Sequence, residues 1–248
     1  MNTVYKKPES LNDKSMTYCP GCTHGMVLRI VAEIIDELDL MGDTIGIASV
    51  GCTYNCYEYF NFDMVQASHG RAPAVATGIK RSRPDNFVFT YQGDGDLASI
   101  GIAEIIHAAI RGENISVVFV NNTVYGMTSG QMAPTTLDKQ LTATTPYGRD
   151  KKIHGSPLRV CEMLSTIQAP AYIERTSMHD IKNIMKTKKA IKKSFQIQKA
   201  NMGFSLVEVL SSCPTNWRLD PVKSLEWIKT NMIPVYPLGV FKGQNLEV

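Results

Sequence analysis

Charge of one sign, long apolar runs and internal repeats are all missing from this 248-residue sequence. Its 26 Lys+Arg stand against 23 Asp+Glu, a formal net charge of +3. So mild a surplus leaves no electrostatic footprint for nucleic acid, and no basic block interleaves with aromatics. The apolar stretches fall far short of the ~18 residues a membrane span needs, so no membrane segment is expected. Nor does an apolar run follow the charges of Met1 to Met16, where Lys6, Lys7, Glu9, Asp13 and Lys14 keep the chain polar. A secretory signal is therefore not expected, and the cytoplasm is the expected location.

Composition adds two exclusions. Hydrophobic content of 44% and charged content of 20% suit a globular chain, not a disordered tail or a collagen-like repeat. Six cysteines in a reducing compartment argue for metal ligands or core fillers rather than a disulfide scaffold. The length allows one large domain or two small ones, and with no linker in view a single domain over 1–248 is expected. Within it, 1–17 reads as a polar leader, 123–157 as a long loop and 233–248 as a proline-broken tail.

Periodicity orders the rest. Met26, Ile30, Val31, Ile34, Ile35 and Leu38 recur at steps of three and four, with Arg29, Glu33, Asp36 and Glu37 on the other face. That predicts a helix, stopped by Gly42-Asp43. Ile45 to Val50 reads as a buried strand running into Gly51-Cys52, Pro73 to Lys80 as a short helix, and Asn86 to Gln92 as a second strand. The turn Gly93-Asp94-Gly95-Asp96 leads into a helix from Leu97 to about Arg111. An apolar strand, Ile115 to Val120, stops at Asn121-Asn122. Thr123 to Pro157 shows no period, and a loop this long inside a domain usually has a function. Beyond it come a helix (Val160 to Ile167), a strand (Ala171 to Arg175) and a Lys-rich helix (Ile181 to Ala200) with Ile181, Ile184, Ile191 and Phe195 inward. A last strand, Phe204 to Leu210, ends at Ser211-Ser212-Cys213-Pro214, before a helix around Val222 to Met232. Alternating helices and apolar strands predict an α/β fold, a mainly parallel sheet with helices on both faces. Ligands of such sheets bind beyond the carboxyl ends of the strands. Cys52, Gly93 to Asp96, Asn122 and Cys213 all follow strands.

Gly93-x-Gly95-x-x-Ala98 formally matches a dinucleotide fingerprint. Two carboxylates, Asp94 and Asp96, stand where a diphosphate would approach the helix, and like charges repel. A divalent cation between carboxylate and phosphate removes the conflict. Mg²⁺ suits, being held by one or two carboxylates, phosphate oxygens and water. The next strand ends in Asn121-Asn122, whose amide oxygens ligate a cation better than they hold a ribose. Glu113, near the count for a ribose carboxylate, precedes that strand and cannot reach.

Cys19-Pro20-Gly21-Cys22 admits a redox pair, half of a zinc site or half of an iron–sulfur site. The redox pair wants a strand directly before its helix, and a polar leader stands there. A four-ligand site needs two more cysteines. Cys52 and Cys213 follow strands beside small or turn-forming residues, whereas Cys161, among Val160, Met163 and Leu164, reads as a core thiol. Cys56 pairs with Cys52 equally well by spacing, and spacing does not choose between Zn²⁺ and a cluster.

Gly93-Asp94-Gly95, with Asn121 and Asn122 following 27 and 28 residues after Asp94, resembles the thiamine diphosphate motif. Carried over, the motif puts Mg²⁺ on Asp94, Asn122 and the carbonyl of Val124. Tyr18-Cys19-Pro20-Gly21-Cys22, Gly51-Cys52, His69-Gly70-Arg71-Ala72, the acidic glycine turn, Asn121-Asn122 and Cys213-Pro214-Thr215-Asn216 follow in one order. From about Tyr18 to the tail, that order resembles the beta subunit of the 2-oxoacid:ferredoxin oxidoreductases. The resemblance implies a thiamine diphosphate-binding fold, thiamine diphosphate with Mg²⁺, and a [4Fe–4S] cluster on Cys19, Cys22, Cys52 and Cys213, leaving Cys56 spare. It implies cofactor contacts at Val50, Gly51, Cys52, Thr53, His69, Gly93, Gly95, Asp96, Gly126 and Met127, with His69 also the candidate catalytic residue. From its own surroundings, His69 reads simply as a turn histidine before Gly70.

The implied reaction is oxidative decarboxylation of a 2-oxo acid with coenzyme A to acyl-CoA and CO₂, electrons leaving through the cluster to ferredoxin. The implied partners are an alpha subunit, gamma and ferredoxin-like delta subunits, and ferredoxin itself. The alpha subunit would supply the Glu that thiamine chemistry needs, since no candidate stands out here, and Thr123 to Pro157 would face it. Lys182, Lys186, Lys188, Lys189, Lys192 and Lys193 form either a solvated helix face or an attraction for an acidic ferredoxin. Ser129 stands where some relatives carry a cation for a second carboxylate, which weakens a dicarboxylic substrate such as 2-oxoglutarate without excluding it; branched-chain 2-oxo acids and 2-oxoglutarate stay open together ahead of pyruvate. Two rivals remain: a nonredox thiamine enzyme subunit with a structural zinc site, and a zinc-stapled binding module with an empty acidic turn.

Overall fold

The structure, a computed structural model, describes residues 6–243. The first half of the chain forms α1 (His24–Glu37), β1 (Thr44–Ala48), α2 (Cys56–Tyr59), β2 (Asp63–Gln66), α3 (Ala72–Ser82), β3 (Phe87–Gly93), α4 (Ile102–Ile110) and β4 (Ser116–Asn121). A small antiparallel pair, β5 (Val124–Tyr125) and β6 (Gln131–Met132), is followed by α5 (Lys151–His154), α6 (Val160–Ser165) and β7 (Tyr172–Ser177). Then come α7 (Ile181–Lys199), β8 (Ser205–Leu210), α8 (Pro214–Trp217), α9 (Pro221–Trp227), α10 (Ile233–Val235) and β9 (Gly239–Lys242).

The main sheet has the order β2-β1-β3-β4-β8-β7-β9, parallel throughout except for β9, which runs antiparallel to β7. β4 and β8 are buried along their whole length, as strands covered on both faces must be. On one face α1 and α7 pack around Val31, Ile35, Phe89, Phe195 and Val207. On the other, α3, α4 and α6 close over Ala76, Val88, Ile105, Phe119, Leu164 and Leu206. The α/β expectation is thus met. The strand order is what positions chemistry: β1, β3, β4 and β8 are neighbours, so the segments after Ala48, Gly93, Asn121 and Leu210 emerge side by side at one sheet edge.

Several expectations need correction. β1 stops at Ala48, so Val50 belongs to the loop. β2 escaped periodicity because this edge strand is largely exposed and polar at its ends. Within the polar leader, Ser10 is fully buried and, with Glu9, donates its main-chain N–H to the Asp36 carboxylate, while Leu11 joins the core. The helix after the acidic turn begins as a π-helical turn, Asp96–Ile100, with Gly101 N–H donating to the Asp96 carbonyl at 2.8 Å. Such turns concentrate at functional sites. Residues 133–156 are stitched by Arg149, whose guanidinium donates to the carbonyls of Pro134 (2.9 Å), Thr136 (2.5 Å), Gly155 (3.0 Å) and Ser156 (2.9 Å). Ile181, expected inward, is 81% exposed at the first turn of α7. The tail contributes α10 and β9, and its last five residues, like the first five of the leader, lie outside the described residues.

Candidate active site

Two cavities open at that sheet edge. The first is lined by Val50, Gly51, Cys52 and Thr53 after β1, by Gly93 to Asp96 after β3, and by Asn122 and Val124 to Thr128 after β4, with His69 and His24. All ten residues expected at thiamine diphosphate, and the three expected at Mg²⁺, are among them. The second cavity, of about 490 Å³, is lined by Cys19, Cys22, Cys52 and Cys213, with Tyr18, Asn55 and Asn216. His24, Cys52, Asn122, Gly126 and Met127 line both and so form a shared wall.

Asp94 is buried and accepts hydrogen bonds from the Gly95 N–H (2.9 Å) and the Thr135 hydroxyl (2.6 Å). Burial nevertheless pushes its carboxyl up to about 7, and these donors offset it only in part. A cation beside it would restore the carboxylate. Asn122 is held by its main chain, whose carbonyl accepts from Trp217 Nε1 at 3.2 Å, while its Oδ1 accepts from the Val124 N–H at 3.3 Å. Thr53 Oγ1 is buried on this cavity's wall with no hydrogen-bond partner among the described residues, an orphan polar atom of the kind a bound group satisfies. These features fit a Mg²⁺–diphosphate group.

Asp96 has another task. Its Oδ1 accepts from His69 Nδ1 (2.5 Å) and the Gly70 N–H (2.7 Å), and its Oδ2 from Gln92 Nε2 (2.7 Å). What Asp96 can offer a diphosphate is therefore its main chain, while its side chain fixes the His69 tautomer and leaves Nε2 for the cavity. His69 is thus more than a turn residue.

The cysteines divide cleanly. Cys19, Cys22, Cys52 and Cys213 face one cavity, whereas Cys56 is fully buried in the core beside Tyr59 and Phe60. Cys161 is a core thiol too, donating to Glu208 at 3.0 Å. Burial, helped by the neighbouring thiols, pushes Cys22 and Cys52 up to about 12. Four thiolates around one cavity repel unless a cationic centre lies between them, so the donor set fits a thiophilic metal group. Among the described residues no three of His, Cys, Asp and Glu converge as a single ion requires.

His24, from the sequence only a weaker candidate than His69 at a helix start after Cys22, sits in the shared wall. Buried, it bonds Tyr91 Oη through Nδ1 at 2.7 Å and stacks on Tyr18 with ring centroids 5.2 Å apart. Burial lowers its pKa to about 4, so it stays neutral. Thr135, Asn216, Trp217 and Tyr236 escaped sequence reasoning, because their partners are remote along the chain. Of these, only Asn216 stood in a noted motif.

Residues 45–209 match the family described as thiamine pyrophosphate enzyme, C-terminal TPP binding domain. The 2-oxoglutarate synthase subunit KorB of Archaeoglobus fulgidus is 34% identical, over 93% of this chain and 85% of that one. The chain belongs to the 2-oxoacid:ferredoxin oxidoreductase family. A second relative, the ketoisovalerate oxidoreductase subunit VorA of Methanothermobacter thermautotrophicus, is 47% identical over 98% of this chain. This oxidoreductase-family chain spans only about half (53%) of that relative's length. A solved 2-oxoglutarate:ferredoxin oxidoreductase from Magnetococcus marinus, with 2-oxoglutarate, coenzyme A and succinyl-CoA bound, superimposes with a TM-score of 0.77 at 26% identity. That match covers 100% of this chain and 88% of the other. Residues 45–209 thus form a thiamine diphosphate-binding domain. No helix among the described residues is long and apolar enough to cross a membrane.

Proposed function

We propose that this chain is the thiamine diphosphate-binding subunit of a 2-oxoacid:ferredoxin oxidoreductase, taking a branched-chain 2-oxo acid and coenzyme A to acyl-CoA and CO₂. The observation that carries the proposal is the pair of chemically distinct cavities sharing one wall. Asp94, Asn122 and the Val124 carbonyl would hold Mg²⁺ on the diphosphate, and Cys19, Cys22, Cys52 and Cys213 a [4Fe–4S] cluster. Bound, the thiamine supplies a carbon nucleophile and electron sink for loss of CO₂, and the cluster a one-electron acceptor. The protein holds and orients. His69, steadied by Asp96, would move a proton through Nε2, and the Gly126–Met127 segment keeps the two groups adjacent.

The branched-chain reading rests on the VorA relative and on the cavity linings, in which neither Lys nor Arg occurs. A second substrate carboxylate would find no Lys or Arg among the described residues that line these two cavities. Against the zinc rival stands the finding that, among the described residues, no three of His, Cys, Asp and Glu converge as a single ion requires. An alpha partner would supply the activating Glu, and the loop side chains Leu141, Tyr147 and Ile153, all well exposed, are available to meet it. Gamma and delta subunits and ferredoxin complete the proposed path, in the cytoplasm.

The test is the complex purified without oxygen, assayed for iron, sulfide, zinc and thiamine diphosphate, then for coenzyme A-dependent acceptor reduction. About four iron on this chain, and a higher kcat/KM for 2-oxoisovalerate than for 2-oxoglutarate, are expected. Zinc in place of iron would remove the redox reading, and preference for 2-oxoglutarate would remove the substrate assignment.

A further inference from the structure

Asn216 lies in the Cys213-Pro214-Thr215-Asn216 run, yet neither cavity's expected chemistry gives it a task. Its side-chain Nδ2 donates to Cys213 Sγ at 3.2 Å and to the Gly126 carbonyl at 2.8 Å, so both amide hydrogens are committed. Gly126 belongs to the wall that both cavities share, and a Cβ there would lie 3.0 Å from Cys52 Sγ and 3.8 Å from Cys213 Sγ. Behind the amide stands Gly130, with a left-handed φ of +84°, where a Cβ would come within 2.9 Å of the Asn216 side chain. The amide is wedged between a glycine and a sulfur and has one orientation open to it.

We propose that Asn216 is a positioning residue that raises the reduction potential of the group held by the four cysteines and fixes the Gly126 wall beside it. An N–H aimed at a thiolate sulfur draws charge from it. Reduction adds negative charge to the group, so the contact stabilises the reduced state more than the oxidised one. The same amide, through its second N–H, fixes the spacing between the Gly126 main chain and Cys213. One side chain therefore controls both the driving force and the separation for electrons leaving the thiamine cavity.

The inference rests on the proposed reading of the cysteine cavity, and the experiment separates the two. In the whole complex, purified without oxygen, the iron–sulfur signal lost in Cys213→Ser identifies the group on this chain. Redox titration of that signal by electron paramagnetic resonance then compares wild type with Asn216→Leu, which keeps the bulk without donors, and Asn216→Asp, which replaces them with acceptors. Both variants should keep wild-type iron and sulfide and shift the midpoint to more negative potential, Asn216→Asp further. If Asn216→Leu fails to assemble, Asn216→Asp decides by the same readout. An unchanged midpoint, or loss of the iron itself from both variants in an assembled complex, overturns the inference. A wild-type complex whose iron–sulfur signals all survive Cys213→Ser would overturn the cysteine reading, and the inference with it.

Discussion

Asp94 and His24 are buried titratable groups whose carboxyl and imidazole shift in opposite senses, to about 7 and about 4. A carboxyl raised on folding binds more protons folded than unfolded, so its contribution to stability falls as pH rises from about 3.8 to about 7. A histidine lowered on folding does the reverse: stability rises with pH from about 4 to about 6.5. The two nearly cancel in wild type and must be separated by substitution. Cofactor-free Asp94→Asn should gain on wild type as pH rises from 5 to 8, by up to about 3 kcal/mol, the value of the two units between pH 5 and about 7. Thermal unfolding across that range checks it, and a pH-independent difference would refute the assigned burial. With Mg²⁺ and thiamine diphosphate present the order should invert, since Asp94→Asn removes a ligand. Thr135→Val, which removes the hydroxyl on Asp94 Oδ2, should weaken Mg²⁺-dependent cofactor retention by about 10- to 100-fold, measured by equilibrium dialysis.

At the scale of elements, segment 123–157 is ordered by a cation rather than by an apolar period. Arg149 answers loop carbonyls, and Thr136 and Thr135 from the same loop grip the Thr123 carbonyl (2.5 Å) and Asp94. Arg149→Met would leave several carbonyls unpaired and should cost about 3 kcal/mol in urea unfolding, with cofactor retention falling in parallel. A variant as stable as wild type would show that water replaces the guanidinium. Sequence could not reveal this, because an arginine serving carbonyls has no periodicity and no fixed partner type. The lysines of α7 are another case. Lys188 reaches Glu33 (2.8 Å) and Glu37 (2.7 Å) on α1, and Lys192 reaches Glu37 (2.8 Å), so part of the basic face is spent on a neighbouring helix. Lys188→Met should cost about 1 kcal/mol at low salt and less at 1 M salt, as partly exposed pairs do.

At the scale of the molecule, the buried pair Arg175–Glu208 (2.8 Å) ties the back of the site together. Arg175 also reaches Glu162 (2.6 Å) and the Pro237 carbonyl (3.1 Å), and Glu208 accepts from Asn121 Nδ2 (2.7 Å), the residue before the proposed Mg²⁺ ligand Asn122. The Tyr236 hydroxyl, beneath Arg175, donates to the Thr135 carbonyl at 2.5 Å. The C-terminal segment thus braces Asp94 from behind through Thr135. Arg175→Met, which takes from buried Glu208 its cationic partner, should cost about 3–5 kcal/mol, and adding Glu208→Gln should recover much of it. Unfolding curves of the two variants decide; equal destabilisation would mean that the pair's charge is not what matters.

By itself the sequence determined the alternation of helices and strands, the acidic glycine turn, the Asn pair and the Cys19–Cys22 spacing. These are local: each rests on a period, a turn residue or a spacing within one segment, and the strands that bear them are apolar enough to be read directly. Even Cys161 was legible, from the apolar residues around it. What the tertiary structure decided was adjacency. The order β1-β3-β4-β8 brings Cys213 beside Cys52 and Asn122, although the chain separates β4 from β8 by more than eighty residues. It sends Cys56 into the core and Cys52 to the cavity, since the turn after β1 points one sulfur outward before α2 buries the other. It places His24 in a wall, Thr135 on Asp94 and Asn216 on Cys213, because hydrogen bonds between distant segments leave no pattern along a single chain.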